Sequence, residues 1–154
     1  MFRVPLNQML MLILVSLLIG LFVNIVRSDG IPYLAKEMAI AEDVENASGE
    51  PKIITLSQAK NLFDKGIIFV DARGDDYYTD AHIKDAWNSG FIMELMFKLD
   101  SLQTRDQPVV VYCSDDECGS SEELAFDLYN EGFNNVLVFK GGWIDWKQAG
   151  YPVE

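Results

Sequence analysis

Two cysteines, Cys113 and Cys118, are the residues of this sequence best suited to covalent chemistry. Two cysteines five positions apart are too few and too close to staple a fold, which favours local chemistry. Cys113 directly follows an apolar run at 109–112 and precedes an amphipathic stretch, so we expect it at a turn between a strand and a helix. Backbone amides that converge at such a turn attract anions and can lower the pKa of a cysteine below about 8.5. Cys113 is therefore a candidate for a reactive thiol, since the thiolate is the nucleophilic form of a cysteine.

The loop after Cys113 is acidic. Asp115, Asp116 and Glu117 place three carboxylates where they would repel small anionic ligands and oppose ionisation of the thiol. Cys118 could attack a persulfide or sulfenate on Cys113 and leave a disulfide, or it could be a small residue at a helix N-terminus without a chemical role. Both interpretations stay open. A zinc site is disfavoured, because the spacing of the cysteines fits no zinc pattern and no histidine lies nearby in sequence.

The elements that position this loop follow from the hydrophobic pattern. Short apolar runs alternate with amphipathic stretches from Ile53 onward, which predicts an α/β fold with a central, mostly parallel sheet flanked by helices. Buried strands are predicted at 67–70, 109–112 and 136–139. Helices are predicted at 58–64 with Ser57 as N-cap, at 75–82, at 92–99, at 120–133 and after Gly142. In the helix at 120–133, the side chains expected to face the core are Leu124, Phe126, Leu128 and Phe133. In the last helix, Trp143 and Trp146 are expected to be packing residues.

The N-terminal segment predicts a transmembrane helix in front of this domain. Residues 9–26 carry no charge, and about 18 to 20 such residues cross a bilayer as a helix. A cleaved signal peptide is disfavoured, since the apolar run exceeds the usual 7 to 15 residues and no A-x-A-like site follows. We expect an anchor at 1–27, a juxtamembrane helix and polar linker at 28–51, and one globular domain at 52–154. The positive charge of Arg3 and the N-terminal amine tilts the prediction to an extracytoplasmic domain.

Charge narrows the range of partners. Acidic residues outnumber basic ones 24 to 12, and the net charge is −12. Nucleic acid and anionic lipid surfaces would be repelled, so neither is expected as a partner of the globular domain.

Several motifs, in order along residues 53–153, resemble the rhodanese homology domain. They are Val70-Asp71-Ala72-Arg73, Tyr78, His82-Ile83, Ala86-x-Asn88, the run VVVYC ending at Cys113, and Val138-Phe139-Lys140-Gly141-Gly142-Trp143-x-x-Trp146. The resemblance implies a sulfurtransferase without a cofactor, in which Cys113 accepts sulfane sulfur as a persulfide and passes it to a thiophilic acceptor. It implies an active-site loop of Ser114, Asp115, Asp116, Glu117, Cys118 and Gly119, whose amides hold the persulfide and the donor, with Asp71, Arg73 and His82 as supporting residues.

The sequence departs from that family in the loop. Cys118 stands where many members have an arginine that pairs with an anionic donor such as thiosulfate. No basic residue lies between Cys113 and Ser121, which also disfavours the arginine-dependent phosphatase branch of the fold. Near His82, Ala81 and Asp85 replace two family glycines, which predicts local loop differences.

The combined hypothesis is a membrane-tethered sulfurtransferase whose sulfur donor and acceptor are small molecules or proteins, with thiols favoured over free thiosulfate. Two alternatives remain. One is a partner-binding rhodanese-like module that catalyses nothing, and the other is a redox protein that cycles the Cys113 and Cys118 thiols.

Overall fold

The computed structural model describes residues 5–27, 38–41, 49–115 and 117–154. The chain divides into two units, Met1–Glu37 and Met38–Glu154. The first contains helix α1, Leu6–Val26, whose apolar side chains are exposed and whose mean hydropathy reaches 2.8. Its 21 residues are long and apolar enough to cross a membrane, a test that a signal sequence also passes.

The second unit is built on a parallel sheet of five strands in the order β1-β5-β4-β2-β3. The strands are β1 (Lys52–Ile54), β2 (Ile68–Asp71), β3 (Trp87–Asn88), β4 (Val109–Tyr112) and β5 (Val136–Phe139). The predicted α/β class and parallel sheet are confirmed. The predictions for β4 and β5 match residue for residue, β2 begins and ends one residue later than predicted, and β1 and β3 were not predicted.

Five helices connect the strands of this unit. They are α2 (Leu56–Asp64), α3 (Asp75–Asp80), α4 (Ile92–Leu102), α5 (Ser120–Asn130) and α6 (Gly142–Gln148). Each of them overlaps a predicted helix. Helix α4 runs three residues beyond its predicted end, and α5 ends three residues before its predicted end.

Strand β4 lies in the middle of the sheet, and all four of its residues are buried. Val110 and Tyr112 pack into the core on one face, while Val109 and Val111 pack into the core on the other. Because successive side chains of a strand point to opposite faces, a central strand covered on both sides must be apolar throughout. Cys113 therefore follows a fully buried strand in the centre of the sheet.

Two details of the helix predictions were wrong. Thr55, not Ser57, is the N-cap of α2, and it forms a capping box with Gln58 in which each side chain bonds the other residue's backbone amide. Phe126 is 40% exposed, whereas Ala125 and Ser121 are buried. The larger side chain lies on the outer face of α5, so the small residues make the close contact with the sheet.

Residues 38–41 extend the sheet beyond β1. Ile40 pairs with Ile53 in parallel register, the Ala41 amide donates to the Ile53 carbonyl, and the Ile53 amide donates to the Ala39 carbonyl, both at 2.8 Å. Ala41 is buried in the core. Most of the segment predicted as a juxtamembrane helix and linker, 28–37 and 42–48, lies outside the described residues.

Candidate active site

Cys113 lies at the carboxyl end of β4 and is only 2% exposed. The loop that begins there ends at Gly119, and α5 starts at Ser120. In open parallel sheets, ligands collect at the carboxyl ends of the strands, where helix N-termini and free amides meet. Cys113 thus occupies the position in the fold where a reactive group is expected.

The first turn of α6 holds the start of this loop. The Trp143 amide donates to the Cys113 carbonyl at 2.9 Å, and the Ile144 amide donates to the Ser114 carbonyl at 3.0 Å. Gly142 comes so close that a methyl group on its Cα would overlap the Cys113 carbonyl oxygen and lie 2.9 Å from the Ser114 carbonyl oxygen. Its φ of +56° also favours glycine. The Gly-Gly-Trp sequence therefore fixes the backbone on which the thiol is mounted.

Cys113 and Cys118 form a disulfide, with their Cα atoms 6.1 Å apart. The two residues differ in exposure: Cys113 is buried, and Cys118 is half-buried. A nucleophile from solvent would therefore reach the sulfur of Cys118 more easily, and cleavage there would release Cys113 as a thiolate. In the disulfide state, neither sulfur is a nucleophile.

Asp115 bonds two amides of its own loop. Its Oδ1 accepts from the Glu117 amide at 3.1 Å, and its carbonyl accepts from the Cys118 amide at 3.4 Å. The amides of Glu117 and Cys118 belong to the loop that was expected to bind the anionic end of a sulfur donor. In this structure they bond to Asp115 instead. Ser114 and Asp115 are half-buried, Glu117 and Gly119 are exposed, and Asp116 lies outside the described residues.

Asp71 and Arg73, which the family resemblance implies as supporting residues, pair within a larger buried network. Asp71 follows Val70 at the end of β2 and is fully buried, and Arg73 is 6% exposed. The Arg73 Nε and Nη2 atoms donate to the Asp71 carboxylate at 2.6 to 3.1 Å. Tyr112 adds a further bond, because its hydroxyl donates to Asp71 Oδ2 at 2.7 Å and accepts from the Ile83 amide at 3.1 Å.

The positive charge of Arg73 balances the negative charge of Asp71 in this network. Burial opposes the charge on Arg73, but the hydrogen bonds and the charge of Asp71 outweigh it, so the pKa of the guanidinium is raised. Burial, together with the negative charge of Asp71, raises the pKa of Tyr112 well above its ordinary value of 10.0. Tyr112 therefore remains a neutral hydrogen-bond donor next to the residue that carries the thiol.

Arg73 connects this network to the loop support. Its guanidinium carbon lies 4.9 Å from the centroid of the Trp143 ring, within the range of a cation–π contact. The backbone amide of the same tryptophan holds the Cys113 carbonyl. Trp146, by contrast, is fully buried and packs in the core, as predicted.

His82 bonds to elements other than the loop. Its Nδ1 lies 2.8 Å from the Tyr78 carbonyl, its Nε2 lies 3.2 Å from Glu154 Oε1, and its ring stacks on Tyr78. These contacts join α3 to the chain segment at 152–154. Asp85 adopts a φ of +61°, a left-handed conformation that favours glycine and that aspartate adopts more readily than most other residues.

Sequence reasoning missed Tyr112 and Gly142 as site residues. Tyr112 was assigned only to a strand, and its bond to Asp71 spans 41 positions. The glycine pair after β5 was a signal that could have been used, since two glycines at a strand end often mark a close backbone approach. Among the described residues, no group of three or more His, Cys, Asp or Glu side chains is placed to hold a metal ion.

The chain is similar to known proteins across the domain that carries this site. The model of the rhodanese-like domain family matches residues 55–149. Thiosulfate sulfurtransferase GlpE of Haemophilus influenzae is 29% identical over 103 residues, which cover 67% of this chain and 94% of the relative. GlpE of Coxiella burnetii is 32% identical over 90 residues, 57% of this chain and 78% of the relative.

Solved structures show the same fold. The rhodanese-like domain of an Anabaena protein superposes with a TM-score of 0.51 at 29% identity, covering 65% of this chain and 76% of that one. A Bacillus halodurans protein superposes with a TM-score of 0.56 at 25% identity, covering 65% of this chain and 74% of that one.

Proposed function

Because the chain belongs to the rhodanese-like domain family, we propose that it is a membrane-tethered sulfurtransferase that carries sulfane sulfur as a persulfide on Cys113. The observation that carries this proposal is the position of Cys113, at the carboxyl end of the central strand on a loop fixed by α6. Relatives named thiosulfate sulfurtransferase support the reaction class. The α1 helix would hold the domain at the membrane, on the extracytoplasmic face.

The reaction needs Cys113 in its reduced form. Its thiolate attacks the outer sulfur of a donor persulfide, so that an S–S bond forms at Cys113 and the donor leaves as a thiol. An acceptor thiolate then attacks the outer sulfur of the Cys113 persulfide, takes that sulfur and restores the Cys113 thiolate. Sulfur is exchanged between thiols, and no external oxidant or reductant is consumed.

The acidic loop supports a thiol persulfide as donor in preference to thiosulfate. Asp115 occupies two loop amides, and Cys118 replaces the arginine that would bind a dianion. A carboxylate close to an approaching anion costs on the order of 1 kcal/mol per contact at an effective dielectric near that of water. A thiol persulfide brings less negative charge to the loop.

The disulfide favours a second role for the same loop, in which Cys118 resolves the persulfide. The Cys118 thiolate would attack the inner sulfur, which belongs to Cys113, form the disulfide and expel hydrosulfide. The resulting disulfide is two electrons more oxidised than the dithiol, and a dithiol reductant would return it to the active form. Attack of that reductant at Cys118, the more exposed sulfur, would free Cys113 directly.

Intact-mass spectrometry of the full chain in detergent tests both steps. After reduction and removal of the reductant, a thiol persulfide should add one sulfur, about 32 Da, to the Cys118→Ser variant, where it cannot be resolved. The wild type should instead lose two hydrogens and release hydrosulfide. Thiosulfate should load poorly.

Three results decide between the candidates. Loading that persists in Cys113→Ser would contradict the assignment of the nucleophile. A wild type that keeps its added sulfur as stably as Cys118→Ser would remove the resolving role of Cys118. If no donor loads any variant while the disulfide still cycles, the domain is a thiol redox protein and the sulfurtransferase proposal is wrong.

A further inference from the structure

We propose that a groove beside the reactive loop docks a protein segment that carries an apolar side chain flanked by lysine or arginine. The inference rests on the proposed function in one respect: such a segment would bring the thiol that donates or accepts sulfur to Cys113. The groove is a cavity of about 320 Å³ lined by residues at the end of β2, at the start of α4 and on the first turns of α5.

The groove adjoins the loop on two sides. Ser120, which lines it, is the first residue of α5 after the loop. Ala72 forms another part of the wall, and its amide donates at 2.8 Å to the carbonyl of Tyr112, the residue before Cys113. A ligand in the groove would therefore lie next to both ends of the reactive loop.

Phe91 is the most unusual residue of the groove. It is 69% exposed and occupies the N-cap of α4, where its side chain makes no capping bond. Serine, threonine, aspartate or asparagine at an N-cap usually stabilises a helix by about 1 kcal/mol relative to a residue that cannot cap. An exposed phenylalanine here stabilises neither the helix cap nor the core, so its ring is available to a ligand in the groove that it lines.

Phe91 also joins the groove to a second cavity of about 440 Å³, since Ser89, Gly90 and Phe91 line both. Half-buried Ile92 and Leu124 add apolar surface to the first cavity. Because they share three lining residues, the two cavities adjoin each other and together form one depression.

The charge around this depression is strongly negative. Glu123 and Asp127 line the groove, and both are exposed. Asp75 and Glu94 line the second cavity, and among the described lining residues only Lys98 carries a positive charge. With a net charge of −12 for the whole chain, the depression attracts cations and repels anionic lipids and nucleic acid. A basic segment with an apolar centre complements it.

The test is fluorescence anisotropy with the full chain in neutral detergent micelles. The probe is a labelled octapeptide with a central Leu-Phe pair and three lysines on each side. Replacing the lysines by glutamate, or the Leu-Phe pair by serines, should each weaken binding about tenfold or more, which corresponds to about 1.4 kcal/mol.

Variants of the protein test whether the peptide binds in the groove. Phe91→Ser should weaken binding at least about fivefold while it raises stability, because serine caps α4. Glu123→Gln should weaken binding and reduce its dependence on salt. Phe97→Ser alters a phenylalanine of α4 that is 71% exposed but lies outside both cavities, and Asp80→Asn alters an exposed carboxylate outside them. Neither control should weaken binding.

Docking and sulfur transfer are separated by the double variant Cys113→Ser/Cys118→Ser, which should bind the peptide but carry no sulfur. Equal losses in Phe91→Ser and Phe97→Ser, or equal binding of all three peptides, would overturn the proposal. Sedimentation of the full chain gives the remaining outcome. If Phe91→Ser abolishes self-association while no peptide binds, the groove holds a second copy of the chain and the proposal is wrong.

Discussion

At the scale of single residues, Tyr112 links the buried Asp71 and Arg73 pair to the strand that carries Cys113. Burial and the charge of Asp71 raise the pKa of Tyr112 above 10.0, so the folded protein favours the protonated phenol. A group whose folded pKa is raised contributes its full stability below the unfolded pKa and loses it as the pH rises towards the folded pKa. This contribution should therefore be complete below about pH 10 and decline above it.

Urea titrations between pH 7 and pH 12 check this expectation. Tyr112→Phe should lower the free energy of unfolding by about 1 to 3 kcal/mol at neutral pH, because a bond to the buried carboxylate is lost. Above pH 10 the decline should be shallower than in the wild type, by up to about 1.4 kcal/mol per pH unit. Tyr77→Phe, at an exposed tyrosine, should change the neutral-pH stability by less than about 0.5 kcal/mol. Parallel curves for the wild type and Tyr112→Phe would contradict the argument.

Local patterns predicted some residues of the site and not others. Cys113 could be placed because a run of apolar residues stops at it, and Asp71 and Arg73 because they follow a predicted strand. The bond from Tyr112 to Asp71 depends on the pairing of β2 with β4, a contact between distant parts of the sequence. Such pairings are not encoded in the periodicity of either segment.

At the scale of elements, α6 acts on the loop through its backbone, and Gly142 is the point of contact. Gly142→Ala should move the loop, because the added methyl group overlaps the Cys113 carbonyl and the φ of +56° disfavours alanine. We expect a loss of stability of at least about 1 kcal/mol and at least a tenfold slower loading of Cys113 by a thiol persulfide.

Gly150→Ala is the matched control, since Gly150 has a φ of +70° but nothing within 4 Å of an added methyl group. It should show the conformational loss of stability without the slower loading. Loading rates are read by quenched intact-mass spectrometry. Equal loading rates in the two variants would show that α6 does not position the thiol.

Among the strands, the accuracy of the predictions followed strand length. Strands β4 and β5 have four buried residues each and appear as continuous apolar runs. Strands β1 and β3 have three and two residues, too few for any period to show. The cap of α2 was misplaced by two residues because Thr55 and Ser57 are both good capping types, and only the reciprocal bond with Gln58 distinguishes them.

At the scale of the whole molecule, the proposed anchor and a cleaved signal sequence predict different masses. A retained anchor predicts a full-length chain of 17.4 kDa in the membrane fraction, resistant to alkaline carbonate and high salt. The double variant Ile13→Arg/Leu17→Arg places two charges in the middle of α1. It should be released from the membrane, since each arginine costs about 2.5 to 3.5 kcal/mol at the centre of a membrane span.

Mass spectrometry of both fractions from a bacterial host is the measurement. Recovery of a shorter chain that begins after α1, in the soluble extracytoplasmic fraction, would show that the helix is a signal sequence. If a membrane-impermeant thiol reagent labels reduced Cys118 in intact cells, the domain faces outward; labelling only after lysis would contradict the proposed orientation.

The pairing of residues 38–41 with β1 affects how closely many copies of this protein can crowd together without aggregating. Open sheet edges are templates on which other chains add strands and start aggregates. One edge of this sheet is β3, only two residues long, and at the other edge residues 39–41 pair with Ile53. Molecules confined to a bilayer meet each other far more often than molecules free in solution. For a chain held by the proposed anchor, short and covered edges would let many copies crowd on one membrane patch without fusing their sheets.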